Sequence, residues 1–268
     1  MSDELSGPRE NPEPTDTDTA ARPANRSADR LLRVAYVLVP AVFAAVTVVL
    51  IVAAWPTWWV YIAPEQSPMT WLQSVLLVLC GLLAAMPAAQ EWLRGRGLRE
   101  LLPFLLLAAG FAWLALDERF TIHERLRDNV LAPRHVRVPL LPWVGPGDFL
   151  LLGYAIAGLL VLRLVLRGLR EDRRARRLFL AGVACALAVV AVDSVDPDRM
   201  SQSVERIEQT LEELVELAGG ALFLLALLTH YLHLVERHAT TAPGVTGATH
   251  GRDRSASEGT LGAPLGGE

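Results

Sequence analysis

Long apolar runs without a charged side chain are the feature that most constrains this sequence. Residues 34–55, for example, contain no Asp, Glu, Lys or Arg. A membrane-spanning helix needs ~20 mostly apolar residues, and an α-helix satisfies its own backbone hydrogen bonds inside lipid. The sequence therefore predicts an all-α integral membrane bundle of about six transmembrane helices. The predicted spans are 34–55, 70–89, 101–116, 149–166, 178–192 and 217–234.

The two ends of the chain lack such runs. Residues 1–30 combine several prolines with many Asp, Glu, Ser and Thr, and residues 239–268 are rich in Gly, Thr, Ser and Ala. Segments of this composition bury too little apolar surface to offset the entropy of ordering the chain. We predict that 1–30 and 239–268 are disordered cytoplasmic tails on either side of a six-helix transmembrane domain at 31–238.

Arginine positions indicate how the helices are oriented. All 25 basic residues are Arg, and they concentrate before the first span, between the second and third, and between the fourth and fifth. Cytoplasmic loops carry an excess of basic residues, so these segments and both termini are predicted to be cytoplasmic. The loop after the third span also contains Arg, but together with several acids. The Arg bias, with abundant Ala, Leu, Val and Gly, is typical of a high-GC bacterium, and we expect a multi-pass protein of a bacterial plasma membrane.

Acidic residues collect at helix ends that this topology places on the outer side. They are Asp117, Glu118 and Glu124 after the third span, Asp193 after the fifth, and Glu205, Glu208, Glu212, Glu213 and Glu216 before the sixth. The third and fifth spans contain fewer than ~20 apolar residues before their first acid. Asp117, Asp193 and Glu216 are therefore expected about one helical turn below the membrane boundary. Carboxylates at such a depth are costly unless they are paired or face a wet cavity, which makes them site candidates.

Helical spacing predicts which of these side chains share a face. In a continuous helix Asp117 and Glu124 lie on one face, because seven residues make about two turns, and His123 lies beside them. The glutamates of the sixth helix form a stripe that Gly219 and Gly220 continue. Small residues at those positions allow another helix to approach closely.

Several carboxylates and one imidazole together form a ligand set for a divalent metal ion. Because a histidine is included, the expected ions are Zn, Mn or Fe. The predicted ligands are Asp117, His123, Glu124, Glu212 and Glu216. Asp193 or Glu213 is the predicted general base on a metal-bound water. The pattern leaves open the role of Glu118, and that of His230 and His233 at the other end of the sixth helix.

Three functions are compatible with these residues. The leading hypothesis is a metal-dependent membrane enzyme at the outer leaflet, which hydrolyses a lipid or a lipid-linked substrate. A cation-binding or transport protein would use the same acids as ligands. In a non-catalytic membrane scaffold they would belong to a structural Arg–carboxylate network, although the outer segments hold more acids than Arg. The lipid bilayer is the expected partner, and no nucleic acid is expected. The oligomeric state stays open.

A short motif at the end of the third span supports the membrane class. The run Leu116-Asp117-Glu118, followed by His123-Glu124, resembles a DE-x4-HE signature of uncharacterised multi-pass bacterial membrane proteins. The resemblance covers residues 116–124 and implies a multi-pass membrane protein, without an assigned activity.

Overall fold

A computed structural model describes residues 16–64, 66–136, 138, 149–193 and 202–241, without the side chains of 16–27, 193 and 239–241. All regular structure in these ranges is helical. The helices are α1 (Asp16–Ala53), α2 (Pro68–Leu93), α3 (Leu98–Phe120), α4 (Ile122–Leu126), α5 (Phe149–Gly168), α6 (Arg173–Asp193) and α7 (Gln202–Thr241). A π-helical turn at Arg127–Leu131 follows α4.

Five helices are long and apolar enough to cross a membrane. They are Ala28–Ala53 within α1, Pro68–Leu93, Leu98–Phe120, Phe149–Gly168 and Arg173–Val192 within α6. These helices coincide with the first five predicted spans. Many of their large apolar side chains are exposed, as expected for helices whose outer faces contact lipid.

Helix α7 lies at the centre of the packing and contacts α1, α2 and α6. It is polar up to Glu216 and apolar from Leu217, as predicted. Two elements extend past the predicted domain boundaries, because α1 begins at Asp16 and α7 ends at Thr241. Residues 1–15 and 242–268 of the predicted tails lie outside the described residues.

Small residues bring neighbouring helices close to α7. A Cβ atom on Gly220 would lie 2.7 Å from Leu76 Cδ2 of α2, and one on Gly219 would lie 3.1 Å from Cys185 Cβ of α6. The predicted close approach at these two glycines is confirmed, and the approaching helices are α2 and α6. A Cβ atom on Gly182 of α6 would lie only 2.8 Å from the Phe223 ring.

The start of α2 is fixed by a side-chain cap. Ser67 Oγ accepts hydrogen bonds from the backbone N–H groups of Met69 (3.1 Å) and Thr70 (3.3 Å). Pro68 occupies the first helical position, where its missing N–H costs no intrahelical bond. This start places Gln73 in the second turn, on the side of α2 that faces α7.

Candidate functional site

The candidate site lies where α3 ends, and this end differs from the prediction. α3 stops at Phe120 because Thr121 adopts a left-handed conformation with φ 47° and ψ 48°. The chain then begins the short helix α4. The predicted continuous helix through Glu124 is therefore wrong, and Asp117 and Glu124 do not share the face of one helix. The break instead turns His123 back towards Asp117.

Asp117 holds His123 through two hydrogen bonds. The backbone N–H of His123 donates to Asp117 Oδ1 (2.8 Å), and its Nδ1 lies 2.7 Å from Asp117 Oδ2. Because an ionised carboxylate only accepts hydrogen bonds, Nδ1 carries the proton and Nε2 is the nitrogen that can accept another. Asp117 is buried and His123 is half-buried, with its ring 6.5 Å from that of Tyr154. The pair is thus held as a potential proton acceptor.

Three glutamates from α3 and α7 come together, and one of them, Glu118, follows Asp117 directly in the chain. Glu118, Glu213 and Glu216 each place a carboxylate oxygen within 4.8 Å of the others. We call these three residues the acidic group. Glu213 is buried, with 7% of its surface exposed, and Glu118 and Glu216 are half-buried. Since like charges at this separation repel strongly, a cation, protons or Arg must compensate them.

Gln73 of α2 contacts two members of the acidic group. Its Nε2 donates to the backbone carbonyl of Glu213 (3.0 Å) and to Glu216 Oε2 (3.3 Å). Gln73 is only 4% exposed, and among the described residues its Oε1 has no hydrogen-bond donor. The side chain therefore adds a buried neutral oxygen next to the acidic group. Sequence reasoning missed this residue, although a glutamine inside an apolar span was a visible signal.

The other predicted site residues are distributed differently. Glu124 Oε1 lies 3.2 Å from Arg127 Nη2, and the same Arg127 pairs with Asp128 at 2.9 Å. Glu212 is half-buried on α7 and is not a member of the acidic group. Asp193 ends α6, and its side chain lies outside the described residues. Of the predicted ligands, the structure thus joins Asp117 with His123, and groups Glu216 with Glu213 and Glu118.

His230 lies far from the acidic group, towards the other end of α7. Its ring stacks on Phe104, with centroids 5.2 Å apart, and is only 3% exposed. Neither ring nitrogen has a hydrogen-bond partner within the described part of the chain. His230 is therefore packed inside the bundle.

The fold and site together define an all-helical, multi-span membrane protein with a partly buried acidic group between α3 and α7. Residues 41–231 match the model of a family described as a domain of unknown function, DUF8692. The match covers more than half of the chain, and the chain belongs to this family. Searches of curated proteins and of solved structures find no match. The matched segment includes Gln73, Asp117, His123 and the acidic group.

Proposed function

We propose that this protein is a metal-dependent membrane enzyme that hydrolyses a lipid or lipid-linked substrate at the outer leaflet. The observation that carries the proposal is the acidic group, whose three carboxylates come within 4.8 Å of one another between two helices. A bound divalent cation would offset their mutual repulsion. The two alternatives are a cation-binding or transport protein and a non-catalytic scaffold.

The ligand chemistry narrows the choice of cation. Glu118, Glu213 and Glu216 offer only oxygen, and Gln73 Oε1 is a further oxygen without a donor among the described residues. Carboxylate and carbonyl oxygens suit Mg, Ca and Mn, whereas Zn and Fe prefer nitrogen or sulfur ligands. Of the ions expected from the sequence, Mn is the one that agrees with this all-oxygen set.

The Asp117–His123 pair would supply the proton transfer. Glu118 follows Asp117 directly, so the turn that carries the pair also carries one of the proposed ligands. A cation held by Glu118, Glu213 and Glu216 would supply the activation of water for hydrolysis. His123 Nε2 would accept a proton from the attacking water and would then donate it to the leaving group. Asp193 stays a second candidate for the base.

We also propose six membrane spans, with both termini in the cytoplasm of a bacterium. Residues 217–234 of α7 contain no Asp, Glu, Lys or Arg, which supports a sixth span beside the five long apolar helices. The Arg-rich connections before α3 and before α6 support the orientation. Reporter fusions after Gly97 and Glu171 should then signal from the cytoplasm, and one near Asp198 from outside. A cytoplasmic signal near Asp198 would contradict this topology.

Separate observations favour the two alternatives. For cation transport, two further buried polar side chains, Thr229 and His230, lie on α7 towards the other side of the bundle. For a scaffold, Arg127 joins Glu124 and Asp128 in a small Arg–carboxylate network. The enzyme is preferred because neither alternative uses the hydrogen-bonded Asp117–His123 pair.

Metal analysis of the purified full chain tests the proposal. After incubation with Mn²⁺ and desalting, the wild type should retain metal, and Glu216→Gln should lose it because one ligand charge is removed. Glu208→Gln, on the same helix but outside the acidic group, is the matched control and should retain metal. Glu124→Gln distinguishes the two proposed ligand sets. It should lose metal if the set predicted from the sequence is right, and should retain metal if the acidic group alone holds the cation.

Hydrolysis of a fluorescent phospholipid, measured on the same samples, separates the three functions. The enzyme is supported if Glu216→Gln loses both bound metal and hydrolysis, while His123→Gln loses hydrolysis but retains the metal. Metal binding without hydrolysis in the wild type would leave the cation-binding alternative. No retained metal in any sample, with Glu216→Gln less stable than wild type, would leave the scaffold.

A further inference from the structure

A groove runs along the outer surface of the bundle between α2 and α3. It has a volume of about 720 Å³ and is open to the surroundings of the protein. On the α2 side it is lined by Val75, Val78 and Leu82, and on the α3 side by small residues that include Ala108 and Ala112. Both helices are long and apolar enough to cross a membrane, so a bilayer would present lipid chains to this groove.

The shape of the groove follows from the sequence of the two helices. Ala108 and Ala112 are four residues apart and lie on one face of α3, because four residues complete about one turn. Their short side chains leave a trough, while branched side chains of α2 form its wall. Ser74 also lines the groove, but its hydroxyl donates to the Thr70 carbonyl (2.8 Å). The body of the groove therefore offers mainly apolar contacts to an occupant.

One end of the groove is different because it carries a positive charge. Among the described residues that line the groove, Arg119 is the only charged one, and it lies at the end of α3 together with Phe120. Its side chain is exposed and forms no ion pair or hydrogen bond with the residues that the structure describes. Trp71 lines the same end from the first turns of α2, and exposed Trp is typical of the membrane–water interface.

An apolar trough with a positive charge at one end fits one kind of occupant. A hydrocarbon chain matches the apolar trough, and an anionic phosphate matches an Arg guanidinium, which binds phosphate through two parallel hydrogen bonds. An apolar helix of a second copy would fill the trough without pairing with Arg119. We propose that the α2–α3 groove binds one acyl chain of an anionic phospholipid, whose phosphate is held by Arg119. This binding site does not depend on the proposed cation or on hydrolysis.

Native mass spectrometry of the delipidated full chain tests the proposal. Phosphatidylglycerol and phosphatidylcholine with the same acyl chains are added back, and the bound lipids are counted. The wild type should retain phosphatidylglycerol preferentially. Arg119→Gln should weaken its retention about tenfold, which corresponds to about 1.4 kcal/mol. Arg99→Gln removes another exposed Arg at the opposite end of α3 and should leave retention unchanged.

A second variant tests the trough itself. Ala112→Phe places a ring in the groove and should reduce retention of both lipids, while Arg119→Gln removes only the preference for phosphatidylglycerol. Equal losses in Arg119→Gln and Arg99→Gln would overturn the proposal, because they would indicate general attraction to negative charge. A wild-type dimer that Ala112→Phe converts to a monomer would also overturn it and would assign the groove to a second copy. If Ala112→Phe does not fold, the two Arg variants alone decide.

Discussion

Acidic side chains near the two ends of α2 have different neighbours. Near its C-terminal end, Glu91 lies 3.4 Å from Arg96 and 3.6 Å from Arg94, so its charge is compensated by neighbours in the chain. Near its N-terminal end, Gln73 contacts Glu213 and Glu216, which have each other and Glu118 as neighbours. We call these regions the arginine end and the acidic end.

Further contacts show how fully the arginine end compensates its own charges. Glu171 pairs with Arg237 and lies 3.7 Å from Arg170. Asp172 accepts hydrogen bonds from the first backbone N–H groups of α6, where the helix dipole favours a negative charge. Burial lowers the pKa of His238 below its usual value, and the Arg94 guanidinium lowers it further. Acids that are paired with neighbouring Arg residues or with a helix N-terminus are typical of a structural network.

The two ends of α2 differ in how closely their acidic side chains lie to one another. At the arginine end Glu91, Glu171 and Asp172 each have an Arg or a helix N-terminus as a neighbour. At the acidic end three carboxylates lie within 4.8 Å of one another beside a buried amide oxygen. The difference can be measured, because a bound cation stabilises only the state that has the site.

The largest expected effect is the loss, in Glu213→Gln, of the stability that the protein gains when it binds a cation. With Mn²⁺ at about 100 times its Kd, the wild type should gain about 2.7 kcal/mol of stability, and the variant should gain little. Thermal unfolding in detergent, with and without Mn²⁺, measures both differences.

Glu91→Gln is the matched variant at the arginine end. It breaks partly exposed ion pairs, which contribute about 0–1 kcal/mol, and its loss should be the same with and without Mn²⁺. If Glu213→Gln behaves like Glu91→Gln, with a loss that Mn²⁺ does not change, the acidic end is a structural network as well. The contrast between the two ends would then be wrong.

Much of this fold could be predicted from the sequence, because its strongest signals are local. Apolar runs gave the first five spans, and the polar first part of α7 was visible as a row of glutamates. The close approach at Gly219 and Gly220 also followed from residue size. The partners of these glycines could not be predicted, because they depend on which helices pack together.

The site was harder to predict, for two physical reasons. Left-handed residues at helix ends are usually Gly or Asn, so nothing in the sequence indicated that Thr121 would end α3. Without that break, Glu124 appeared to face the same way as Asp117. The role of Gln73 depends on which face of α2 meets α7, and this is a property of helix packing. The residue types of the site were therefore visible, but their grouping was not.

A smaller effect is expected at the Asp117–His123 pair. This pair lies at the acidic end but is not among the proposed ligands of the cation. Asp117→Asn keeps the size of the side chain and one acceptor oxygen, but it loses the charge and one of two bonds to His123. Hydrogen bonds to a charged group contribute about 1.5–3 kcal/mol, so we expect a loss of about 1.5 kcal/mol in thermal unfolding. The carboxylate of Asp128 is exposed and pairs with Arg127, so Asp128→Asn should lose less than about 1 kcal/mol.

Mn²⁺ binding should survive in both variants, whereas hydrolysis should fall only in Asp117→Asn, because His123 then loses its fixed tautomer. Loss of Mn²⁺ in Asp117→Asn would instead make Asp117 a ligand, and would return the site to the set predicted from the sequence.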